Sequence, residues 1–516
     1  MSAQFLAALD LAPRYLSAHV LLSALALAIG VAVSLPLAVA AYRRPVLRWP
    51  LLAAAGLIQT VPSLALLALF YPLLLALSGV GESVLGARFS ALGFLPALLA
   101  LTLYSVLPIL RGAITGLQGV DPAVIEAARG VGMTDRQRLF QVEAPLALPS
   151  VMGGVRTAAV WVIGTATLAT AVGQTSLGDF IFSGLQTENW VFVLVGCAGA
   201  CGLALIADQL LLLIETGFST RNRRRVQLGA LGFAVGVAAA LAPALPGGGP
   251  VYRIGAKNFS EQFILAELMQ QRIAAAGARA RITSGLGSAV VFRALAAGEL
   301  DVYVDYSGTL WANVLGRTDN PPRAHLLATL SQELAARHGV TLLGALGFEN
   351  AYALAMRPDR AQDLGIASIA DLAVRSRDLA IAGDVEFFAR PEWESVRQAY
   401  SLAFKSRRSL QPTFMYPALA NGEVDVISAF SSDGRIARDR LTLLSDPKRA
   451  LPPYDAVVLL SPKAAKDAKL RDALRPLLGA VSVEAMRAAN LAVDRETEKL
   501  SPAEAARRLG ARLANP

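Results

Sequence analysis

Lysine is absent from the first 250 residues of this 516-residue chain, and charge of either sign is scarce there. That half holds 14 Arg and 10 Asp plus Glu, whereas residues 251–516 hold 34 Lys plus Arg and 29 Asp plus Glu. Only 17% of all residues are charged, and soluble proteins average about 25%. The imbalance excludes a single compact soluble enzyme and a disordered or fibrous chain, and it indicates a membrane half followed by a soluble half.

The chain has too few cysteines and histidines to form a disulfide framework or a metal site built from these residues. Cys197 and Cys201 are the only cysteines, and we interpret them as small buried hydrophobic residues of one helix. The three histidines, His19, His325 and His338, are scattered, so no metal site is predicted. The net charge of +9 is shared almost evenly between the halves, so a nucleic-acid partner is not expected.

Six apolar segments approach the roughly 20 residues that cross a bilayer. They are Val20–Tyr42, Leu51–Leu77, Gly93–Leu110, Val151–Val172, Trp190–Ile214 and Val226–Leu245. Arginines cluster in three alternate connections, within residues 43–48, 111–156 and 221–225, while the opposite connections carry only Arg88. Since basic residues stay in the cytoplasm, the pattern puts the arginine-rich connections inside, and the N-terminus and the soluble half outside.

The second arginine-rich connection is amphipathic and long enough to fold on the cytoplasmic face. Asp121 is a suitable N-cap and Pro122 suits the first helical position. Gly130 and Gly132 then break the helix, and a second short helix is expected after them. The segment is either a solvated loop or a docking surface for a cytosolic partner.

This connection resembles the EAA loop of ABC importer permeases, whose pattern is Glu-Ala-Ala, three residues, Gly, nine residues and an Ile-x-Leu-Pro-like end. Val and Ala stand here at the Ile and Leu positions. The residues that correspond to the coupling element are Glu126, Ala127, Ala128, Gly132 and Pro145. The resemblance covers roughly residues 15–220 and implies that the loop, at 121–150, docks on an ATPase and that two copies pair through the membrane.

No GxxxxGK[ST] sequence occurs anywhere in the chain. The resemblance therefore implies that a separate cytosolic subunit uses the ATP and magnesium, and that this chain carries no cofactor.

The soluble half follows a Pro/Gly-rich linker, 243–250, and alternates strand and helix signals in an α/β pattern. It contains an internal repeat: ALAAGELDV at 294–302 and ALANGEVDV at 418–426 agree at seven of nine positions. Each copy predicts a helix end, a glycine turn and a strand. Two similar lobes with a cleft at their strand ends are therefore expected.

Each copy of the repeat presents an aromatic residue at the same offset, Tyr306 and Phe430, followed by Thr309 and Asp433. The two rings either wall the cleft, facing each other across it, or belong to the core. An aromatic cleft suits a quaternary ammonium, which donates no hydrogen bond. Arg390 could bind a carboxylate at the ligand's other end, or it could pair with Glu386 on a helix surface.

Residues 252–515 resemble the substrate-binding proteins of the glycine betaine, carnitine and choline importer family. The segments GAKNFSEQFILAEL, VDYSGT, FENAYALA, EFFARPE and AFSSDGRI occur in the family's order. The resemblance implies a two-lobed domain, with lobe 1 at about 251–353 and 456–516 and lobe 2 at about 354–455. It assigns an aromatic cage to Tyr306, Tyr352, Phe430 and Tyr454, and polar contacts to Lys257, Gln262, Thr309, Glu386 and Arg390.

Phe430 stands where many members of that family have Tyr, so the ligand stays open among choline, glycine betaine and carnitine. Relatives fused to a permease in this manner include ergothioneine importers, and ergothioneine is itself a trimethylammonium betaine.

These features predict an α-helical permease domain of about six helices, of the type I ABC importer class, fused to a two-lobed α/β binding domain. The expected divisions are residues 1–225 for the permease, 226–250 for the last membrane helix and linker, and 251–516 for the outer domain. The protein would lie in the bacterial inner membrane, with the binding domain on the periplasmic or extracellular side. Its partners would be the ATPase, a second copy, the small ligand and membrane lipid.

Two other classes remain as alternatives. A transmembrane ligand sensor would need a cytoplasmic output domain, yet no cytoplasmic segment exceeds about 45 residues. An enzyme would need a catalytic constellation, and the sequence shows no Ser/His/Asp order, metal spacing or clustered acid pair.

The arginine pattern makes a direct prediction about topology. Reporter fusions at residues 222 and 260 are expected to give opposite signals, because the segment between them has to cross the membrane to leave the arginines inside. A compartment-sensitive reporter pair, fused at each point in turn, measures this. Identical signals at both points would mean that the sixth segment does not span.

Overall fold

The computed structural model describes residues 3–85, 89–187, 189–242, 251–317, 319–495 and 498–514. The chain forms two compact units, Met1–Phe182 with Val191–Gly247 and Ser183–Trp190 with Gly248–Pro516. The proposed linker at 243–250 lies outside the described residues.

The first unit is entirely helical over its described residues. Six helical segments there are long and apolar enough to cross a membrane, beginning at Gln4, Ser63, Phe94, Asp135, Trp190 and Arg223. The helices are α1 (Ala3–Arg43), α2 (Arg48–Thr60), α3 (Ser63–Leu85), α4 (Phe94–Gln118), α5 (Pro122–Gly130), α6 (Asp135–Arg138), α7 (Ala144–Ala166), α8 (Gly178–Gln186), α9 (Trp190–Ser219) and α10 (Arg223–Leu241). The expectation of six membrane helices is confirmed.

Several of the predicted spans have different boundaries. The first is predicted to begin at Val20, whereas α1 begins at Ala3, and the third is predicted to end at Leu110, whereas α4 ends at Gln118. The sequence predicts one kinked span over Leu51–Leu77, whereas the structure ends α2 at Thr60 and starts α3 at Ser63. Pro62 stands in the break, since proline disfavours helical backbone at the residue before it. The fourth span begins earlier than predicted, because α6 continues through a π-helical turn into α7, so the arginine-rich connection is helical well before residue 150.

Close helix packing in this unit depends on small residues. Helix α4 packs against α7, and a Cβ added at Gly154 of α7 would lie 2.5 Å from the carbonyl oxygen of Pro108 in α4. The backbones are too close there for any side chain, which is the packing that small residues permit between membrane helices.

The interpretation of Cys197 and Cys201 as buried residues is wrong. Both are exposed on the surface of α9. They are apolar residues of a membrane helix, whose outer face is as apolar as a protein core because lipid replaces water there.

The second unit contains two five-stranded sheets. The strands are β1 (Val251–Lys257), β2 (Arg279–Leu286), β3 (Val302–Tyr306), β4 (Thr341–Glu349), β5 (Tyr352–Met356), β6 (Ala380–Gly383), β7 (Ser406–Ser409), β8 (Val426–Phe430), β9 (Thr442–Leu443) and β10 (Asp455–Leu460). The helices are α11 (Ser260–Ala275), α12 (Ser288–Ala296), α13 (Ser307–Thr309), α14 (Arg323–His338), α15 (Pro358–Leu364), α16 (Ile369–Arg375), α17 (Val385–Ala389), α18 (Pro391–Tyr400), α19 (Pro412–Ala420), α20 (Gly434–Arg438), α21 (Ala468–Leu474), α22 (Val483–Asp494) and α23 (Pro502–Ala514).

Each sheet forms the centre of one lobe. The first has the strand order β2-β1-β3-β10-β4 and the second β7-β6-β8-β5-β9, so β10 is the only strand of the first sheet that follows the second sheet in sequence. The chain crosses between lobes twice, after Glu349 and before Asp455. Tyr352 begins the second sheet, so the first crossing precedes the predicted boundary at 353 by a few residues.

The internal repeat is a repeat of structure. Gly298 and Gly422 both have a φ of +73°, which a residue with a Cβ rarely adopts. The shared acids also correspond: Asp301 accepts a hydrogen bond from the backbone N–H of Arg253 at 2.8 Å, and Asp425 accepts one from that of Ala380 at 2.9 Å. Each acid thus links its strand to a parallel neighbour, β3 to β1 in the first lobe and β8 to β6 in the second.

Serine is a common N-cap residue, but the serine at the start of α11 has another role. Ser260 does not cap this helix: the N-cap position belongs to Phe259, and the Ser260 hydroxyl instead donates a 2.6 Å hydrogen bond to Asp494.

Candidate functional site

A cavity of about 290 Å³ lies in the outer domain, where β3 and β8 of the two lobes end. Most of the predicted contact residues line it. Those on its wall are Lys257, Tyr306, Thr309, Tyr352, Arg390, Phe430, Asp433 and Tyr454. Gln262 lies behind the cavity wall, and its amide donates a 3.0 Å hydrogen bond to the Tyr306 hydroxyl. The side chain of Glu386 lies outside the described residues.

Three of the four predicted cage rings are in mutual contact through Tyr352. The centroid of its ring is 4.7 Å from that of Phe430 and 5.4 Å from that of Tyr454, with which it makes an edge contact. β5 and β8 are antiparallel neighbours that pair Tyr352 with Phe430, so the sheet itself sets this contact.

The repeat predicted that the rings of Tyr306 and Phe430 face each other across the cleft. In the structure they do not face each other directly. The ring of Phe259 lies between them, stacked on both, with centroid distances of 6.1 Å to Tyr306 and 6.0 Å to Phe430. Sequence comparison of the repeat misses Phe259 because it precedes α11 and has no counterpart in the second copy. Its position just before the helix Ser260–Ala275 is the signal that could have found it.

The cations of the wall are all paired with carboxylates. Lys257 forms a buried ion pair with Asp305. Arg390 lies 3.6 Å from Glu392 and donates a 3.3 Å hydrogen bond to Thr309, with its guanidinium 5.4 Å from the centroid of the Tyr352 ring. The backbone of Arg390 is extended at the end of α17, and the alternative pairing with Glu386 involves a side chain outside the described residues.

Glu261 is a buried carboxylate that the sequence analysis did not identify. Its two oxygens accept hydrogen bonds from the Tyr306 hydroxyl at 2.6 Å, Asn350 at 3.0 Å, Ser432 at 2.5 Å and Asn490 at 2.9 Å. Burial raises the pKa of Glu261, although these four donors oppose the shift. Because Ser432 follows β8 and Tyr306 ends β3, this carboxylate joins the two lobes beside the cavity.

A second polar cluster lies at the start of α20. Asp433 caps this helix and accepts hydrogen bonds from the backbone and guanidinium of Arg435 and from Tyr416. Burial alone would raise the pKa of Asp433, but the Arg435 charge and these hydrogen bonds lower it. Burial raises the pKa of the neighbouring Asp494 to about 7.

The second arginine-rich connection has the predicted helix, turn and helix. Asp121 accepts a 2.8 Å hydrogen bond from the backbone of Ala123, and Gly132 has a φ of +79°. Glu126 and Ala127 are exposed, while Ala128 is buried against the unit. Val131 and Phe140 are large apolar side chains that are 76% and 63% exposed, so this surface has the apolar character of a docking site.

Pro145 does not lie in a loop. It stands in the first turn of α7, where its missing N–H removes no helical hydrogen bond.

Comparisons with known proteins match both units. Residues 251–509 match the substrate binding domain of ABC-type glycine betaine transport systems, and residues 30–219 match the binding-protein-dependent transport system inner membrane component. The ergothioneine transport permease/ergothioneine binding protein EgtU of Helicobacter pylori (strain G27) is 28% identical over 444 residues, 83% of this chain and 76% of that protein.

Two further relatives each match one unit. The choline transport system permease protein OpuBB of Bacillus subtilis (strain 168) is 37% identical over 209 residues, 40% of this chain and 89% of that protein. A crystal structure described as a glycine betaine/carnitine/choline ABC transporter is 25% identical with a TM-score of 0.45, covering 51% of this chain and 98% of that one.

Asp494 makes the stability of the outer domain depend on pH. In the unfolded chain this carboxyl loses its proton near its ordinary pKa of about 4, whereas in the fold it keeps the proton to about pH 7. Stability therefore falls as pH rises between these values, by up to about 1.4 kcal/mol per pH unit. Thermal unfolding of residues 251–516, expressed alone, is expected at a lower midpoint at pH 8 than at pH 5.

Asp494→Asn is expected to remove most of this fall, because the amide cannot ionise. Asp472→Asn is the matched control, since that carboxylate is 67% exposed. An unchanged pH profile in Asp494→Asn would assign the dependence to another group.

Proposed function

Since this chain belongs to the binding-protein-dependent transport system inner membrane components and carries the substrate-binding domain of ABC-type glycine betaine transport systems, we propose that it imports a quaternary-ammonium compound. Permease and receptor are one chain in this proposal. Glycine betaine, choline and carnitine are the first candidate ligands, and uptake of an osmoprotectant is the expected role.

The aromatic wall of the cavity is the observation that carries this proposal. Tyr352, Phe430 and Tyr454 present rings at one place, next to Phe259 and Tyr306. A trimethylammonium group donates no hydrogen bonds, so ring faces are its natural partners, and each good face contributes roughly 0.5–2 kcal/mol. Phe259 and Phe430 stack directly on each other, so the head group would meet the ring faces that are turned to the cavity.

The charges of the wall support a cation or a zwitterion over an anion. Its three described cations, Lys257, Arg390 and Arg435, each have a carboxylate partner. Glu261 lies on the same wall and accepts hydrogen bonds from neutral groups, while Asp494, whose pKa is about 7, adds a second carboxylate only above that pH. An anionic ligand would therefore find no uncompensated positive charge among these residues, whereas a quaternary ammonium would meet rings and carboxylates.

Ergothioneine is the second candidate. The Helicobacter pylori relative named for that ligand has a permease and a binding protein in one chain, and it aligns with 83% of this one. Ergothioneine carries the same trimethylammonium group and carboxylate, so the same wall would serve it.

The transport cycle follows from the two units. The outer domain would close on the ligand on the extracytoplasmic side of the bacterial cell membrane and present it to the membrane unit. A separate ATPase, docked at Glu126 and the exposed side chains around Gly132, would drive alternating access. Two copies of the chain would complete the pathway, because one permease supplies half of it.

Calorimetric titration of the outer domain with choline, glycine betaine, carnitine and ergothioneine tests the ligand class. Phe430→Leu keeps an apolar side chain but removes a ring face, so we expect at least one of these ligands to bind and to lose about tenfold in affinity in the variant, since 1.4 kcal/mol is tenfold. Phe404→Leu is the matched control, because Phe404 packs on Trp393 away from the cavity. No binding of any of the four ligands would contradict the proposal, and equal affinities in the two variants would place Phe430 in the core.

Gly132 tests the coupling loop. Its positive φ is strained for any other residue, yet a Cβ there would meet nothing within 4 Å, so Gly132→Asp disturbs the backbone turn without a steric clash. We expect loss of transport and of stimulated ATP hydrolysis, with the ligand affinity of the outer domain unchanged.

Gly277→Asp is the matched control for this experiment. Gly277 has a φ of +68° and the same open surroundings, but it lies in the outer domain. Normal uptake by Gly132→Asp, or equal losses in both variants, would overturn the docking role.

A further inference from the structure

An open groove on the surface of the membrane unit combines charge with an exposed indole. It runs between α7 and α9, and its lining residues are Gly153, Arg156, Thr157, Val160, Trp161 and Asp208. Trp161 is 57% exposed and Val160 is 40% exposed. A Cβ at Gly153 or Gly164 would meet nothing within 4 Å, so this stripe of α7 has no neighbour in the described part of the unit.

The charges in this groove form a connected group of three. Arg156 donates two hydrogen bonds to Asp208, at 2.9 and 3.1 Å, and a third to Glu215 at 2.9 Å. Asp208 and Glu215 are two turns apart on α9, so both point to the same side. One guanidinium and two carboxylates leave one uncompensated negative charge, and the three side chains are 21–25% exposed.

Arg156 and Asp208 lie far from either end of their helices, whereas Glu215 is four residues, about 6 Å, from the end of α9 at Ser219. Arg156 is 12 residues from the start of α7, which is about 18 Å along the axis, and Asp208 is 11 residues, about 17 Å, from the end of α9. Partly exposed charges at that depth cost roughly 2.5–3.5 kcal/mol each or more if they face lipid. The groove therefore faces water or another polar surface, and its remaining negative charge favours a cation.

We propose that this groove is a second binding site for a quaternary-ammonium cation, on the route through the membrane unit. The face of the Trp161 indole would contact the trimethylammonium group, as indole does best among side chains. Asp208 and Glu215 would supply the negative charge, and Arg156 would hold both carboxylates in place. A quaternary ammonium fits this site because it stays charged in a medium of low polarity and needs no hydrogen-bond acceptor. The inference rests on the ligand class proposed above.

Thiol labelling of the full chain in lipid nanodiscs tests the site. Thr157→Cys places a thiol in the groove, in a background where the exposed Cys197 and Cys201 are replaced by Ser. The rate of each reagent is first divided by its rate with a free thiol in solution. On that scale the trimethylammonium-bearing ethyl methanethiosulfonate is expected to react at least tenfold faster than its sulfonate analogue, and choline is expected to slow the reaction. Ile206→Cys, on the opposite side of α9 and 61% exposed, is the control and should show no such preference.

Two substitutions separate the contributions of charge and ring. Glu215→Gln can still accept the hydrogen bond of Arg156 but removes the excess charge, so the preference for the cationic reagent should fall severalfold. Trp161→Ala should weaken protection by choline, whereas Trp190→Ala, at a position equally exposed at 58% and outside the groove, should leave it unchanged.

Equal rates for the two reagents would overturn the second site. Absence of any labelling would also overturn the second site, because the groove would then be a dry interface. This holds whether or not a spontaneous disulfide forms between two copies at residue 157. Titration of choline into the same full-chain protein reports the outer site separately. Normal binding there with no effect in the groove would reject this inference alone, whereas no binding at the outer site would reject the ligand class itself.

Discussion

A charged side chain that is removed from water loses its hydration, and a nearby opposite charge or hydrogen-bond partner has to compensate for that loss. This constraint shapes both units of the protein. In the membrane unit, Arg156 is held by two carboxylates within the membrane-spanning helices. In the outer domain, Lys257 is buried only because Asp305 is buried with it. Glu261 is the extreme case, since four neutral donors surround its carboxylate and no cation among the described residues pairs with it. Where compensation is incomplete, at the outer cavity and in the membrane groove, the excess is negative.

The hydrogen bonds of Glu261 also explain how the lobes are held beside the cavity. Tyr306 and Ser432 follow the equivalent strands of the two lobes, and both hydroxyls donate to the same carboxylate. Asn490 binds this carboxylate and the carbonyl oxygen of Ser432 together, so a third element is tied to the junction. A substitution at any of these residues would change the contact between the lobes as well as the cavity wall. Tyr306→Phe would remove the hydrogen bond to Glu261, so its effect on ligand binding would not report on the aromatic ring alone.

The duplicated architecture gives the outer domain its cavity. In each lobe a glycine turn and an aspartate fix the strand that ends in an aromatic residue, so two rings arrive from similar directions. The lobes are not identical, however. Phe259 enters between Tyr306 and Phe430 from the first lobe alone, and the resulting wall is a stack of rings rather than a pair of opposed faces. A ligand would meet only those ring faces of the wall that are turned to the cavity.

The sequence by itself determined the division into a membrane half and an α/β half, the six membrane helices, the glycine turn at Gly132 and the repeat around Asp301 and Asp425. These features depend on hydrophobic run length, residue spacing and backbone conformation, which are local properties of the chain. The repeat and the resemblance to the family together named eight of the residues that line the cavity.

Only the tertiary structure decided which groups complete the sites. Glu261, Asn350 and Ser432 lie in three of the segments that carry the family resemblance, and Asn490 lies in none of them. Nothing in those segments shows that the four residues share one network, because it forms only when four distant parts of the chain meet. Phe259 likewise acquires its place between two rings through packing. The physical reason is that burial and partner choice belong to the assembled fold: a carboxylate becomes a buried junction only where the rest of the chain removes water and supplies its donors.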